Sequence, residues 1–301
     1  MPRVSGSRVR MSRPVFLLSF LLLTVVSCTD EPAIRIPDET QDAAEALREA
    51  ALSSPVAWDR LTELVDVFGA RFSGTESLEA SLDWMLARMT EDGLENVRSE
   101  PVMVPRWIRG EESVELISPR SKNLTVLGLG GSVGTPPDGI RAEVLVVESY
   151  ADLDARASEA EGKIVLFDVP FTTYGETVRY RSGGAVAAAK AGAVASLIRS
   201  VTPFSMNTPH TGGMSYEEGV PQIPHAALTL EDAAMLHRLQ DRGDRIQVLL
   251  EMGARSEGMV QSRNIMAEIV GWEFPDEVVV LGGHSDSWDV GQGAMDDAGG
   301  V

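Results

Sequence analysis

A histidine and three aspartates near the carboxyl end of this 301-residue chain have the residue types and spacing of a metal site. His284 follows an apolar run, residues 277–281, and two glycines, so the sequence places it at the end of a buried strand. Open α/β sheets bind ligands at the carboxyl ends of their strands. Asp286 has the spacing to orient the imidazole, and Asp296 can ligate a metal ion or bridge two ions about 3.5–4 Å apart. The pattern therefore indicates a metal-binding site.

Two simpler interpretations compete with the metal site. A histidine two residues before an aspartate is, taken alone, more often a hydrogen-bonded surface residue than a ligand. One of Asp296 and Asp297 can equally be the N-cap of a helix that begins there. The context favours metal binding, because the histidine follows a strand-like run and the chain returns through glycines that let the backbone approach closely.

Composition excludes several other classes of function. The chain has 26 lysines and arginines against 45 aspartates and glutamates, a formal net charge of −19, so it offers little that would bind a nucleic-acid backbone. A single cysteine excludes an internal disulfide framework and a cysteine-based zinc cluster. A chain that is 44% hydrophobic and 24% charged is globular in composition.

The single cysteine lies at the end of an apparent export signal. Arginines precede an apolar run, residues 15–26, which is too short to span a bilayer and is typical of a signal peptide. Ser27 and Cys28 follow, and this ending resembles the lipobox of bacterial lipoproteins, whose cysteine is lipidated. We therefore predict a lipoprotein-type signal over residues 1–28, a polar tether over 29–39, and an exported protein of the cell envelope or exterior, anchored through Cys28. An ordinary signal with an incidental cysteine is the alternative.

The periodicity of apolar residues predicts helices first and an α/β alternation afterwards. From residue 140 onward, strands and helices alternate with short connections, which is typical of an α/β unit. The glycine-rich residues 128–134 lack the spacing of a dinucleotide-binding loop and predict a turn. Helices are predicted over residues 40–52, 55–68, 76–91, 152–160, 183–190 and 231–242, and strands over 97–104, 112–117, 142–147, 163–167, 192–198, 223–228, 246–252, 263–270 and 277–281.

Residues 282–297, Gly-Gly-His-Ser-Asp-Ser-Trp-Asp-Val-Gly-Gln-Gly-Ala-Met-Asp-Asp, resemble the co-catalytic zinc peptidases of family M28. The resemblance covers most of the chain beyond the tether, through residues 94–98, 100–105, 109–113, 128–132, 183–200 and 262–301. It implies a zinc-exopeptidase-like mixed sheet flanked by helices, incomplete within this sequence, with an inserted protease-associated α/β domain. The domains so predicted are a peptidase domain over 40–135, the inserted domain over 136–256, and the peptidase domain continued over 257–301.

The resemblance also implies a role for each site residue. His284 matches the family's first zinc ligand, Asp286 the catalytic-site acid that supports it, and Asp296 the aspartate that bridges two zinc ions. The Asp296–Asp297 peptide bond is expected to be cis. The family's Glu-Glu pair, later acidic ligand and final histidine are expected C-terminal to Val301.

Other histidines and glutamates lie upstream of this segment. His225 and His237 fit structural positions on a strand and in a helix, whereas His210, in a loop, is a candidate to overhang the site. Glu111 and Glu112 form a glutamate pair, but they open a strand, and a solvated sheet edge is the simpler interpretation.

The function implied by the resemblance is that of an exopeptidase with two zinc ions, acting on dipeptides or short peptides. The expected partners are a short peptide substrate and, through Cys28, the membrane. Nucleic acid is not expected, and a homodimer is left open. Two alternatives remain: a receptor or binding protein on the same scaffold, and acyl transfer of the glutaminyl cyclase type, against which the inserted domain argues.

Overall fold

A computed structural model describes residues 36–204 and 206–301. The predicted signal peptide, Cys28 and most of the predicted tether lie outside the described residues. The chain divides into two compact units, residues 1–54 and 55–301. In the described part of the first unit, helix α1 (Asp38–Ser53) buries none of its side chains. Within the described ranges, no helix is both long and apolar enough to cross a bilayer.

Two helices open the second unit and pack against each other. Helix α2 (Val56–Phe68) and helix α3 (Glu76–Glu91) lie where helical spacing predicts them. Helix α3 begins after Thr75, whose side-chain oxygen accepts a hydrogen bond from the Leu78 N–H and so satisfies one donor of the first turn. The helices share a small apolar core with one residue from the carboxyl end of the chain: Leu64, Leu78, Leu82, Met85 and Ala298.

A long antiparallel ribbon follows these helices. Strand β1 (Glu95–Ile108) pairs with the last strand, β10 (Arg255–Glu268), from Glu95 opposite Glu268 to Ile108 opposite Arg255. The strands predicted over residues 97–104 and 263–270 are therefore confirmed, although both structural strands are longer and β10 ends two residues earlier.

Between the two strands of the ribbon, the chain forms an eight-stranded mixed sheet, which we call the sheet unit (residues 112–252). The strands of the sheet unit run in the order β3-β2-β9-β5-β6-β7-β8-β4, where β5 to β8 are parallel neighbours and the other pairs are antiparallel. Its elements are β2 (Glu112–Ser118), β3 (Lys122–Leu124), β4 (Val126–Gly128), β5 (Ile140–Val147), α4 (Tyr150–Ala155), α5 (Ala157–Ala160), β6 (Ile164–Phe167), α6 (Tyr174–Lys190), β7 (Ala195–Arg199), β8 (His225–Leu228), α7 (Leu230–Asp241) and β9 (Gln247–Met252).

Helices cover both faces of the sheet unit. Along β6, Leu166 belongs to one buried core together with Leu236 of α7, and Val165 belongs to the other core together with Ala188 of α6. The central strands are apolar on both faces because side chains alternate between two buried layers. The fold is thus of the predicted class, an α/β protein with a mixed sheet flanked by helices.

The sheet unit begins earlier in the sequence than the predicted inserted domain. Strands β2, β3 and β4 all precede residue 136, yet β2 pairs with β9 and β4 pairs with β8. Their backbone groups therefore find hydrogen-bond partners in strands more than 90 residues away, which local periodicity cannot indicate. The domain boundaries stay a prediction, while the sheet itself runs from Glu112 to Met252.

Helix α6 is longer than the predicted helix over residues 183–190. It begins after Thr173, whose side chain accepts a hydrogen bond from the Glu176 N–H. Gly183, where the predicted helix begins, lies inside the helix instead. A Cβ at Gly184 would lie 3.1 Å from the ring of His225, so glycine lets the helix approach the sheet closely.

Residues 277–281 do not form the predicted strand. The apolar side chains from Val278 to Leu281 are 78–90% exposed, and the segment has no regular secondary structure. A strand needs a neighbour to pair with its backbone N–H and C=O groups. None of the described segments pairs with residues 277–281. The segment therefore has the apolar pattern of a strand but no neighbouring strand to pair with.

His225 is expected to make stability depend on pH. It is fully buried, and burial lowers its pKa to about 4 although three backbone carbonyls oppose the shift. Because an unfolded histidine has a pKa of about 6.5, the unfolded chain takes up the proton first, and stability is lost as the pH falls from about 6.5 to about 4. We expect this residue to remove about 2 kcal/mol of unfolding free energy between pH 7.5 and pH 5.

Urea denaturation of the protein and of His225→Gln at the two pH values measures this contribution. The variant should be less sensitive to pH by that amount. Equal sensitivity in the two proteins would contradict the prediction.

Candidate metal centre

His284 and two aspartates form the centre of the candidate site. The imidazole Nδ1 lies 3.1 Å from Asp286 Oδ1, and Nε2 lies 2.9 Å from Asp296 Oδ1. The side chains of His284 and Asp296 are 53% and 91% exposed, so the Nε2 side of the ring is open to solvent. The structure thus brings together the three residues that the sequence singles out.

Asp297 holds the main chain of His284. Its Oδ2 accepts a hydrogen bond from the His284 N–H at 3.3 Å. A Cβ on Gly283 would lie 2.8 Å from one carboxylate oxygen of Asp297, and a Cβ on Gly300 would lie 2.4 Å from the other. Both glycines therefore make room for this carboxylate.

The two tandem aspartates contact His284. The short turn Ala294–Ala298 has Gly293 at its N-cap position and no side-chain cap hydrogen bond, and the backbone angles of Asp296 and Asp297 within it are not helical. Asp297 accepts a hydrogen bond from the His284 N–H and Asp296 lies against Nε2, while the N-cap interpretation stays a prediction. The Asp296–Asp297 peptide bond is cis, as the family resemblance implies.

The neighbouring carboxylates govern the protonation of His284. Partial burial lowers its pKa, but hydrogen bonds and charge interactions with Asp296 and Asp286 outweigh burial, and the pKa of His284 lies above its ordinary value. An ionised carboxylate only accepts hydrogen bonds, so both contacts favour a hydrogen on the ring nitrogen that faces it. A metal ion at Nε2 would take the place of a hydrogen there and leave a hydrogen on Nδ1, held by Asp286.

The donor set fits part of a zinc site. Zinc takes imidazole nitrogen and carboxylate oxygen as ligands, usually four in total. His284 Nε2 and Asp296 Oδ1 supply one donor of each kind at neighbouring positions. Within residues 36–204 and 206–301, no three histidine, cysteine, aspartate or glutamate side chains are arranged to hold a metal ion. These two residues therefore make up a partial site.

A buried arginine that the sequence analysis does not identify supports this loop. Arg71 has no exposed surface, and its Nε donates a hydrogen bond to the Ser285 carbonyl at 2.9 Å. Its backbone N–H donates to Ser287 Oγ at 2.9 Å, and its carbonyl accepts from the Ser287 N–H at 3.0 Å. Burial lowers the pKa of Arg71, while the charge of Asp286 acts in the opposite direction.

Arg71 has only a faint signal in the sequence. It lies between two glycines in the segment 69–74, directly after the helix predicted over residues 55–68. An arginine in an otherwise apolar and glycine-rich turn is a candidate for a buried role, but no pattern links it to residues 285–287.

The contacts described for the upstream histidines His210 and His237 lie within the sheet unit. His210 donates its backbone N–H to Ser200 Oγ, and the contacts described for His284 do not include it. His237 pairs with Asp168 at 2.8 Å, which confirms its structural role.

Glu112 is not at a solvated sheet edge. Its carboxylate accepts a hydrogen bond from the Gly128 N–H at 2.8 Å, and burial raises its pKa. The solvated-edge interpretation is therefore wrong for Glu112, because the glycine-rich turn folds back over it. Glu111 is exposed, as that interpretation requires.

Comparison with solved structures assigns the class of the fold. The chain is similar to the "Peptidase M28 precursor" from Shewanella amazonensis SB2B, with a TM-score of 0.83 and 38% identity over 87% of this chain and 61% of that one. It is also similar to BSAP, "a zinc aminopeptidase from Bacillus subtilis", with a TM-score of 0.57 and 22% identity over 80% of this chain and 53% of that one. The second likeness concerns the fold alone. The fold is that of the M28 peptidase structures.

Comparison of sequences gives the family. Residues 264–301 match the family model "Peptidase family M28". The chain is 53% identical to "Carboxypeptidase Q" of Xenopus laevis over 87% of its length and 56% of that protein, and 52% identical to "Carboxypeptidase Q" of Homo sapiens over 81% of its length and 52% of that protein. The chain belongs to peptidase family M28, and it spans about half the length of the curated relatives it matches.

Proposed function

We propose that the full-length protein is a zinc-dependent exopeptidase that hydrolyses dipeptides or short peptides. The observation that carries this proposal is the pair of donor atoms, His284 Nε2 and Asp296 Oδ1, backed by Asp286 on the opposite ring nitrogen. This arrangement stands in a chain more than 50% identical to carboxypeptidases and structurally similar to a zinc aminopeptidase.

The proposed roles follow from the contacts of each side chain. His284 and Asp296 would hold zinc, and zinc in such sites lowers the pKa of a bound water and polarises the scissile carbonyl. Asp286 holds the Nδ1 hydrogen and so presents Nε2 to the metal as a neutral donor. Asp297 fixes the backbone of His284. Zinc would need further ligands and a general base besides these residues.

We propose that the carboxyl end of the peptide is attacked. The relatives above 50% identity are named carboxypeptidases, whereas the "probable leucine aminopeptidase 2" of Aspergillus oryzae is 25% identical over 77% of this chain. The acidic composition of the chain gives solubility rather than a substrate preference. Export and anchoring through Cys28 stay predictions from the sequence.

Metal removal and peptides with blocked ends test the proposed function. The full-length protein should hydrolyse dipeptides, lose the activity after dialysis against a chelator and regain it with Zn²⁺. Because a carboxypeptidase requires a free carboxyl end, an N-acetylated peptide should be cleaved and a C-amidated peptide should not.

The alternatives give different results in the same assay. The reverse preference for the blocked peptides would make the protein an aminopeptidase. A protein that binds peptides and hydrolyses none, with or without Zn²⁺, would instead be a receptor on this scaffold.

A further inference from the structure

Three consecutive residues directly after Asp286 each contact another segment of the second unit. Ser287 exchanges two hydrogen bonds with the backbone of Arg71. Trp288 packs against Phe72, with ring centroids 5.2 Å apart and an angle of 27° between the planes. Asp289 forms an ion pair with Arg109. The segment that follows the metal-site aspartate is therefore fixed at every residue.

The ring of Trp288 fills a recess in the sheet unit that glycine creates. A Cβ added to Gly130 would come within 2.3 Å of Trp288 Cζ3 and 2.4 Å of Cη2. Gly213, which bridges to Gly130, lies on the same side, since its Cβ would be 3.9 Å from Cη2. Gly130 does not have a positive φ, so its backbone does not require glycine. The close approach of the tryptophan ring is the reason for glycine at this position.

The ion pair beside this recess is partly buried and bidentate. Arg109 Nε and one terminal nitrogen each lie 2.7 Å from an oxygen of Asp289, and the arginine side chain is 8% exposed. The same guanidinium donates to the carbonyl of Gly128, whose N–H is held by Glu112. A bidentate pair fixes direction as well as distance. The turn that carries Gly130 and the loop that carries Asp286 are thus joined through one arginine.

We propose that Trp288 and Asp289 are positioning residues, through which the sheet unit sets the position of His284 and Asp286 for metal binding. Trp288 packs against Gly130 of the sheet unit. Asp289 pairs with Arg109, which lies between β1 and β2 and bonds to Gly128 of the sheet unit. The sheet unit then contributes to the geometry of the metal site. The proposal rests on the proposed function, because it concerns the same zinc site.

A glycine variant and its compensating partner test the proposal in the full-length protein. Gly130→Ala should push Trp288 outward. Because changes behind a metal ligand commonly weaken metal binding, we expect zinc affinity to fall about tenfold or more. The visible absorption bands of the Co²⁺-loaded protein should also shift. In Gly130→Ala/Trp288→Phe, the smaller ring lacks the two atoms that the new Cβ would meet. The double variant should therefore recover most of the zinc affinity.

Two further variants separate this effect from a general loss of stability. Gly175→Ala is the matched control, because a Cβ there meets no atom within 4 Å and should leave zinc affinity and the Co²⁺ spectrum unchanged. Asp289→Asn keeps the size of the side chain and removes the ion pair, and it should also weaken zinc binding about tenfold. It gives a result even where Gly130→Ala does not fold.

The outcomes distinguish this proposal from the proposed function. Unchanged zinc affinity in both Asp289→Asn and Gly130→Ala would overturn the positioning role. A double variant that binds zinc no more tightly than Gly130→Ala would also overturn it. Both conclusions require that the parent protein binds zinc and hydrolyses peptides. A parent protein that neither binds zinc nor hydrolyses peptides would overturn the proposed function itself.

Discussion

Replacement of His284 by alanine in the full-length protein is expected to abolish peptide hydrolysis and to weaken zinc binding by more than about 100-fold, since loss of a group merely behind a ligand already costs 10- to 100-fold. The substitution removes the imidazole that contacts Asp296 and leaves Asp286 without the ring that it holds. Asp296, with a side chain that is 91% exposed, has nothing else in the described contacts to fix it. The remaining carboxylates would bind a cation weakly and without a defined direction.

Zinc affinity by chelator competition and kcat/KM on a dipeptide measure this effect. His237→Gln is a suitable control, because His237 lies on α7 in the sheet unit and pairs with Asp168. That variant should keep both quantities near their original values. A His284→Ala protein that retains zinc and full activity would contradict the proposed role of His284.

Replacement of Arg71 by methionine is expected to lower the free energy of unfolding by about 2–4 kcal/mol, the range for a buried donor whose partners are left unsatisfied. Methionine has nearly the length of arginine but donates no hydrogen bond. The carbonyls of Ser285 and Gly69 would lose their partner in a place without exposed surface. Relief from the burial of the charge offsets part of this cost, while loss of the attraction to Asp286 adds to it.

Urea denaturation of the full-length protein measures this effect. Arg245→Met is the matched control, because Arg245 is 72% exposed and its ion pair with Glu143 lies at the surface. Such a pair contributes about 0–1 kcal/mol, so the control should unfold nearly as the parent does. Equal unfolding midpoints for Arg71→Met and Arg245→Met would show that Arg71 does not support the loop as described.

Local patterns were enough to predict most helices and strands of the sheet unit, but not the short strands β3 and β4. Periodicity of apolar residues is a property of neighbours in sequence, and α2, α3 and β5 to β9 follow it closely. The metal-site residues could also be identified from the sequence, because His284, Asp286 and Asp296 lie within a stretch of 13 residues. Their roles as ligands stay a proposal.

The parts that sequence reasoning missed depend on contacts between distant segments. Arg71 meets residues more than 200 positions further along the chain, and Arg109 meets Asp289 across 180 positions. No spacing rule connects such residues. The recess at Gly130 was interpreted only as a turn, because a missing side chain gives no sign of the ring that fills the space.

The ribbon of β1 and β10 has a consequence for the chain entropy of folding. Residues 109–254 separate its strands, and closing an unstructured connection of that length would cost roughly 4 kcal/mol. In the sheet unit, however, Glu112 already lies opposite Met252, only a few residues from the ribbon's own pair, Ile108 and Arg255. Once the sheet unit is folded, the ribbon closes as a short hairpin does. If the sheet unit unfolded, pairing of β1 with β10 would again require closure of the long unstructured connection. The ribbon and the sheet unit therefore stabilise each other.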